Sequence, residues 1–406
     1  MKKYSGKQTI QLLTASVLLA AFTALAPVQA QTKKAKPALV QQANRALDLA
    51  VKQYKLMAQH LPDGQLPRTT GKDGSLMTSG PNWWCSGFYP GTLLYLYEYT
   101  KDASLKAEAL KRMALVESQK NNKGTHDLGF MMYCSYGNAY RLFKDPAYKA
   151  VLLTSASSLS TRFNPTVGCI KSWDNKQFTF PVIIDNMMNL ELLMWASHTS
   201  GDDSFARIAK THANTTMKNH FRPDYSSYHV VDYNPNTGGV LRKITHQGAA
   251  DSSAWARGQA WGLYGYTMMY RETKDKAYLN QAKHIADFIL NNPTLPEDMI
   301  PYWDFDAPGI PNVPRDASAG AIAASALLEL SRFTTGKDAA RYWNAAEKML
   351  TSLCGPAYLA KEGENNNFLL MHSTGSFPHH SEVDVPLSYA DYYFVEALLR
   401  YKHWAK

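Results

Sequence analysis

The chain has 406 residues, of which 45% are hydrophobic, and a formal net charge of +9. This length is enough for a large hydrophobic core in one large domain or two. The basic residues are scattered rather than clustered, which argues against a nucleic-acid-binding protein and is compatible with a small acidic ligand.

The N-terminus has the pattern of a signal peptide. Three lysines within the first seven residues precede an apolar run over residues 12–26, and Val28-Gln29-Ala30 ends in a small residue suited to cleavage. We therefore expect a signal peptide at residues 1–30 and a single mature domain at 31–406, with a net charge of +6, in the periplasm or secreted. No later apolar run approaches the roughly 20 residues that span a bilayer, so no membrane partner is expected.

Four cysteines, Cys85, Cys134, Cys169 and Cys354, follow in the mature chain. An even number in an oxidising compartment permits disulfides but establishes none. Cys134 lies on an apolar helical face, so we expect it to be buried as a small hydrophobic residue.

Apolar residues recur at helical spacing in about a dozen segments, and almost no alternating strand pattern competes with them. The segments cover residues 37–61, 89–100, 104–120, 128–143, 146–162, 186–200, 202–221, 255–273, 275–291, 317–334, 337–353 and 387–401. Several are joined by tight polar turns, such as Lys144-Asp145-Pro146, Ser200-Gly201-Asp202, Lys274-Asp275 and Gly336-Lys337-Asp338, where Asp can cap the next helix. Short turns make sequential helices antiparallel neighbours, so an all-α protein is predicted.

Four longer connections, at 63–87, 164–184, 223–254 and 292–316, are rich in Trp, Tyr, Gly and Pro. Loops of this length in a compact domain are usually functional. Residues 227–233 and 240–244 are predicted to pair as a hairpin.

Two aspartates stand at the starts of predicted helices. Asp185 follows the apolar run 180–184, where burial would raise the pKa of a carboxyl towards neutrality, as an acid–base catalyst requires. Asp127 lies within His126-Asp127-Leu128-Gly129-Phe130. For both, a first-turn acid favoured by the helix dipole is the structural alternative.

These two motifs resemble the aspartate motifs of the unsaturated glucuronyl hydrolases, glycoside hydrolase family 88. The Trp-Ala-Arg-Gly-Gln-Ala-Trp-Gly run at 255–262 also resembles that family, and the resemblance extends from about Trp84 to the 391–397 run. It implies an (α/α)6 barrel of six helical hairpins. It also implies hydration of the double bond that a polysaccharide lyase leaves on a uronic acid, with no metal or organic cofactor.

The resemblance assigns roles to both aspartates. Asp185 would protonate the double bond and deprotonate the attacking water. Asp127 would hold sugar hydroxyls and keep Asp185 protonated by like-charge repulsion. The neighbouring His126 is either a third catalytic group or an orienting or structural histidine. The substrate-binding residues that the resemblance implies are Trp84, Trp173, His229, Gln247, Trp255, Arg257 and Trp261.

Alternatives remain for several of these residues. Arg257 could offer its guanidinium to a substrate carboxylate or be a buried arginine paired with a neighbouring acid. Core packing is the alternative for Trp84 and Trp173, and either Trp83 or Trp84 could be the pocket wall. His379 and His380 have no zinc-ligand spacing, and with Ser381, Glu382 and Asp384 they suggest a polar loop that closes the pocket.

The competing functions are a related unsaturated rhamnogalacturonyl hydrolase of pectin breakdown, an inverting glycosidase and a non-catalytic glycan-binding protein. The tryptophan-rich run around Arg257, together with His229, favours the glucuronyl group. Family members that act on sulfated glycosaminoglycan fragments bind the sulfate with a loop of serines and a lysine. Here serines are present but no lysine occurs within residues 373–387, so sulfate tolerance stays open. The oligomeric state, monomer or weak dimer, also stays open.

Overall fold

The computed structural model describes residues 1–2 and 35–405, and twelve α-helices dominate this part of the chain. The helices are α1 Pro37–His60, α2 Phe88–Thr100, α3 Ala103–Val116, α4 Asn138–Phe143, α5 Pro146–Ser160, α6 Leu190–Ser200, α7 Asp203–Asn219, α8 Ala256–Thr273, α9 Lys276–Asn291, α10 Ala317–Phe333, α11 Gly336–Leu353 and α12 Ser388–Trp404. Each lies within or closely overlaps one of the predicted segments. The predicted signal peptide lies outside the described residues, apart from its first two.

Side-chain caps start many of these helices. The carboxylates of Asp145, Asp202 and Asp275 accept hydrogen bonds from the first-turn amides of α5, α7 and α9, as their turns predict. Helix α11 differs, because it begins after Thr335 without a side-chain cap and Asp338 lies in its first turn.

The helices form two concentric rings. The inner ring contains α2, α4, α6, α8, α10 and α12, and α12 packs against α2 to close it. Helices α3, α5, α7, α9 and α11 each follow an inner helix and pack outside it, and α1 packs against α12. The first and last helices thus form the sixth pair of outer and inner helices, although they are not consecutive in sequence. The predicted (α/α)6 barrel is confirmed.

The two inner helices that follow the aspartates begin irregularly. A π-helix, Gly129–Gly137, precedes α4, and a 3-10 helix, Ile184–Asn189, precedes α6. The two segments approach closely, since a Cβ on Gly129 would lie 2.5 Å from the Cα of Asn189. The side chain of Asn189 accepts a hydrogen bond from the Phe130 amide at 2.9 Å. Irregular helical turns often occur at functional sites.

Small antiparallel sheets occupy the longer connections. They comprise β1 Leu66–Thr70 with β2 Leu76–Ser79, β3 Phe163–Asn164 with β4 Cys169–Ile170, the three strands β5 Pro181–Ile183, β6 Val230–Tyr233 and β7 Val240–Ile244, and β8 Ser373–Ser376 with β9 Ser381–Val385. The predicted hairpin is confirmed as β6 and β7, with Val230 opposite Ile244. Sequence reasoning missed β5, which leads directly to Asp185.

All four cysteines are free, and Cys134 is buried as expected. Within residues 35–405, no helix is long and apolar enough to cross a membrane.

Candidate active site

A cavity of about 420 Å³ lies where the inner helices begin. It is lined by Arg68, Trp83, Trp84, His126, Asp127, Trp173, Ile183, Asp185, His246, Gln247, Arg257, Gly375, Ser376, His379, Ser381, Glu382 and Tyr389. Several of these residues occupy the first turns of inner helices or the segments just before them. Helix N-termini carry partial positive charge and exposed amides, so this end of the barrel favours an anionic ligand.

Asp185 lies in the 3-10 turn after β5 and is 8% exposed. Burial, and to a smaller extent the nearby charge of Asp127, raise the pKa of its carboxyl, which is about 7. The charge of Arg257 opposes this rise but does not cancel it. A carboxyl with such a pKa is present in both protonation states near neutral pH, as the sequence predicted for an acid–base group.

A buried histidine faces Asp185. The Nε2 atom of His229 lies 3.8 Å from Asp185 Oδ2. Its Nδ1 accepts hydrogen bonds from the backbone amides of His246 at 3.1 Å and Gln247 at 3.0 Å. Burial also lowers the pKa of the ring well below its ordinary value. His229 is therefore neutral, with its single proton on Nε2, and it presents a donor towards Asp185.

His126, which lies beside Asp127, carries its proton on the other ring nitrogen from His229. The Nδ1 of His126 lies 2.7 Å from the carbonyl oxygen of Ser172, which can only accept, so Nδ1 carries the proton. Burial lowers the pKa of this ring. Its Nε2 then presents a lone pair 3.2 Å from Asp127 Oδ1. Asp127 also accepts a hydrogen bond from the Thr125 hydroxyl at 3.0 Å. Two acceptors therefore face one place in the cavity and need a donor.

Arg257 is 1% exposed, and its guanidinium is largely occupied by the protein. One Nη atom donates to Asp316 at 3.0 Å and to the Thr374 carbonyl, and the other donates to the Gly375 carbonyl. One Nη thus forms the salt bridge to a buried acid that was the structural alternative from the sequence, and the other Nη is bonded to a backbone carbonyl. Only Nε remains without a partner. Arg257 tethers β8 to the barrel and places positive charge near Asp185.

The other predicted binding residues divide into two groups. Trp84, Trp173 and Gln247 line the cavity, and Gln247 donates to the Gly375 carbonyl at 2.9 Å. Trp255 and Trp261 lie behind its wall, where Trp255 packs on His229 with ring centroids 4.6 Å apart and Trp261 packs on Phe130 at 5.1 Å. His229 also lies outside the lining, behind Asp185.

Trp83 and Trp84 both line the cavity, so both tryptophans that were considered for the pocket wall contribute to it. Trp83 is 37% exposed and lies beneath the Arg68 guanidinium at 4.2 Å from its ring centroid. Trp84 is more enclosed and packs on Tyr389 at 4.8 Å.

Sequence reasoning missed Arg68, His246 and Tyr389. No motif contains Arg68, and its partner at the cavity, Glu382, which accepts from its Nε at 2.5 Å, lies 314 residues later. The predicted polar loop is the β8–β9 hairpin, and it supplies Gly375, Ser376, His379, Ser381 and Glu382 to the wall.

Several buried polar atoms around this cavity have no hydrogen-bond partner among the described residues. They include His229 Nε2, His126 Nε2, Arg257 Nε and the indole Nε1 of Trp173. The indole of Trp261 is close enough to the Asp185 carboxyl to lower its pKa by hydrogen bonding. Buried polar groups in folded proteins are nearly always hydrogen-bonded, and exceptions mark strained, functional or ligand-binding positions. This set of donors and acceptors fits a hydroxyl-rich ligand.

A larger cavity, about 510 Å³, lies at the opposite end of the barrel, but its chemistry differs. Its charged groups pair with one another, as in the Arg271–Glu272 contact at 2.8 Å and the Arg400–Glu396 contact at 3.4 Å. Of its described lining side chains, none leaves a buried polar atom unpaired. We therefore place the active site at the smaller cavity. Within residues 35–405, no cluster of three or more His, Cys, Asp or Glu side chains is arranged to hold a metal ion.

Comparisons with known proteins agree with the fold and with the sequence motifs. The model of Glycosyl Hydrolase Family 88 matches residues 62–272. An unsaturated glucuronyl hydrolase of Formosa agariphila is 50% identical over 320 residues, which cover 78% of this chain and 79% of that protein. An unsaturated chondroitin disaccharide hydrolase of Streptococcus pyogenes serotype M1 is 32% identical over 391 residues, covering 94% and 97%. The crystal structure of an unsaturated glucuronyl hydrolase specific for heparin has a TM-score of 0.87 and 51% identity, covering 89% of this chain and 97% of that one.

Proposed function

Because the chain belongs to glycoside hydrolase family 88, we propose that it removes a 4,5-unsaturated uronic acid from the non-reducing end of lyase-generated oligosaccharides, and that glycosaminoglycan disaccharides are its substrates. The single observation that carries the proposal is the setting of Asp185. Its carboxyl has a pKa of about 7 and lies among unpaired donors and acceptors at the floor of a cavity.

The reaction begins with proton transfer from Asp185 to C4 of the unsaturated uronate. The C4=C5 bond is part of a vinyl ether, so protonation at C4 leaves a cation at C5 that the ring oxygen stabilises. Asp185, now a carboxylate, takes a proton from a water molecule as that water adds to C5. The hemiketal formed at C5 opens to a keto acid and releases the reducing-side sugar.

The two histidines support different tasks in this scheme. His229 donates from Nε2 towards Asp185, which stabilises the carboxylate that forms after the first proton transfer. His126 Nε2 and Asp127 Oδ1 are both acceptors, and a sugar hydroxyl would supply the donor that they lack. The uronate is thereby held with its double bond next to Asp185.

The remaining walls provide ring contacts and charge. Trp84 and Trp173 present aromatic faces for the apolar faces of the sugars. The N-termini of the inner helices favour the uronate carboxylate. Arg257 contributes mainly through its charge and through the position of β8, since both its Nη groups are already bonded.

Isotope labelling tests the chemistry. In deuterated water the product should carry solvent deuterium at C4, and in heavy-oxygen water the solvent oxygen should enter at C5. An inverting glycosidase would place solvent oxygen at C1 and no deuterium at C4. Absence of deuterium at C4 would refute hydration.

Substitution tests the role of Asp185. The isosteric Asp185→Asn variant should lose activity about 100-fold or more, since it removes the proton that starts the reaction. The loss of absorbance from the double bond measures turnover. A folded Asp185→Asn protein with near-native turnover would contradict the assignment. Assays with unsaturated chondroitin, hyaluronan, heparin and rhamnogalacturonan disaccharides would identify the substrate and separate the glucuronyl and rhamnogalacturonyl activities.

We also propose that the protein is exported to the periplasm or secreted. The lysine-rich start, the apolar run 12–26 and the Val28-Gln29-Ala30 site support this location. N-terminal sequencing of the protein from its native host should then begin at Gln31, and recovery of an uncleaved chain would contradict the proposal.

A further inference from the structure

An ion pair stands at the mouth of the active-site cavity. Arg68, on β1, contacts Glu382, on β9, with Nε and Oε1 2.5 Å apart. Their side chains are 21% and 14% exposed, against 11% for the side chain of Asp185, and the neighbouring Trp83 is exposed. The guanidinium also stacks over Trp83 at 4.2 Å. Both members line the cavity.

The backbone that carries Glu382 is unusual. Glu382 has a φ of 55°, and the alternate residues His380 and Asp384 have φ values of 49° and 57°. Residues other than Gly, Asn and Asp rarely adopt this left-handed backbone conformation, and where they do, the surrounding structure enforces it. Gly375, on the paired strand, makes room, because a Cβ there would lie 2.6 Å from Glu382 Oε2. The hairpin thus holds a carboxylate against the cavity at an energetic cost.

The charges around the cavity show what this carboxylate does to the mouth. Each of the two lining arginines is paired with an acid, Arg257 with Asp316 and Arg68 with Glu382. His246 also lines the cavity and packs on His379, a lining residue of the hairpin itself, with ring centroids 4.5 Å apart. Burial, and then the neighbouring His379, lower its pKa, so it adds no charge at neutral pH. Of the described lining residues, neither arginine is thus left without a carboxylate partner.

The position of the pair identifies the part of the substrate that meets it. On the proposed function, the reacting uronate would bind beside Asp185 and Asp127, and the sugar on its reducing side would extend towards the more exposed lining residues. Trp83, Arg68 and Glu382 are such residues. A sulfate ester or other anionic group on that sugar would approach the Glu382 carboxylate.

We propose that Glu382 is a specificity-determining residue that disfavours substrates with an anionic group on the reducing-side sugar. The inference rests on the proposed function. Glu382 acts in two ways, because its charge repels an anion and it occupies the guanidinium of Arg68, which would otherwise bind one. Specificity of this kind arises from a repulsive element against the competing ligand.

The test compares non-sulfated unsaturated chondroitin disaccharide with its 4-sulfated and 6-sulfated counterparts. The readout is the ratio of kcat/KM for each sulfated substrate to kcat/KM for the non-sulfated one. In Glu382→Gln, the ratio should rise about 10-fold for at least one sulfated substrate. In Arg68→Ala, which leaves the Glu382 charge without its partner, the ratio should fall.

The matched control is Glu362→Gln, because Glu362 also pairs with a basic residue, Lys52 at 2.8 Å, but lies on an exposed surface away from the cavity lining. Its ratios should equal those of the wild type. Ratios in Glu382→Gln within twofold of the wild type for both sulfated substrates would overturn the inference, and so would a rise in Arg68→Ala. The Arg68→Ala result decides if Glu382→Gln fails to fold. A wild type that hydrolyses none of the unsaturated disaccharides would instead refute the proposed function.

Discussion

Replacement of Asp185 by Asn should stabilise the protein, and the gain should depend on pH. In the folded chain the carboxyl keeps its proton up to a pKa of about 7, because burial disfavours the charged form. In the unfolded chain it loses the proton near its ordinary pKa of 3.8. Between these values the folded state binds more protons, so wild-type stability falls as pH rises. The amide of Asn has no such titration.

The size of the effect follows from the two pKa values. A difference of about three in pKa corresponds to about 4 kcal/mol, reached in full above pH 7 and absent below about pH 4. An unfolding entropy of about 2 cal/mol/K per residue gives about 0.8 kcal/mol/K for roughly 370 ordered residues. The variant should therefore gain up to about 5 °C in Tm over the wild type on going from pH 4 to pH 8.

Differential scanning calorimetry at several pH values between 4 and 8 measures this difference. Both proteins are scanned at one rate and one protein concentration, so that irreversible unfolding affects them alike. The comparison between low and high pH is an internal control, because any packing or hydrogen bond that the substitution disrupts is disrupted at every pH. A Tm difference that stays constant from pH 4 to pH 8 would refute a buried, protonated Asp185.

Three other changes test the surroundings of this carboxyl. The kcat/KM of the wild type should fall above about pH 7 as Asp185 loses its proton. Asp127→Asn should move that fall to lower pH, because it removes a negative charge that raises the pKa of Asp185. A pH profile identical to that of the wild type would contradict the effect of Asp127 on Asp185. Gly129→Ala should cost about 1–3 kcal/mol of stability and much of the activity, because its Cβ would lie 2.5 Å from Asn189 Cα, and unchanged thermal unfolding would refute the close approach. Arg257→Met should lower the free energy of unfolding by about 3–5 kcal/mol, because it leaves the buried Asp316 carboxylate without its positively charged partner. Urea unfolding measures this loss. A loss below about 1 kcal/mol would contradict the structural role of Arg257 and favour substrate binding.

The helices could be predicted because their signals are local. Apolar periodicity and the capping aspartates at Asp145, Asp202 and Asp275 lie within a few residues of the helices that they define. The two aspartates were found through short motifs, and the expected rise in the pKa of Asp185 follows from the apolar residues just before it.

The missed features depend on distant parts of the chain. Arg68 and Glu382 are 314 residues apart, and although the polar loop that contains Glu382 was predicted, nothing in the sequence indicated its pairing with Arg68. The carbonyl of Gly375, which occupies part of the Arg257 fork, lies 118 residues from it in sequence. The positive φ of Glu382 gave no signal either, because the residue is not a glycine. Tertiary packing imposes these features, and the sequence around each residue does not contain them.

Closure of the inner ring by its last helix also fixes the order in which the molecule can be completed. Tyr95 on α2 donates to Glu396 on α12 at 3.0 Å, across 301 residues of sequence. During synthesis both aspartates are therefore made long before α12, the helix that packs against both α2 and α10. Pairings so distant in sequence make folding slow. Because α12 also supplies Tyr389 to the cavity lining, a chain truncated before α12 would carry Asp127 and Asp185 without a complete site around them.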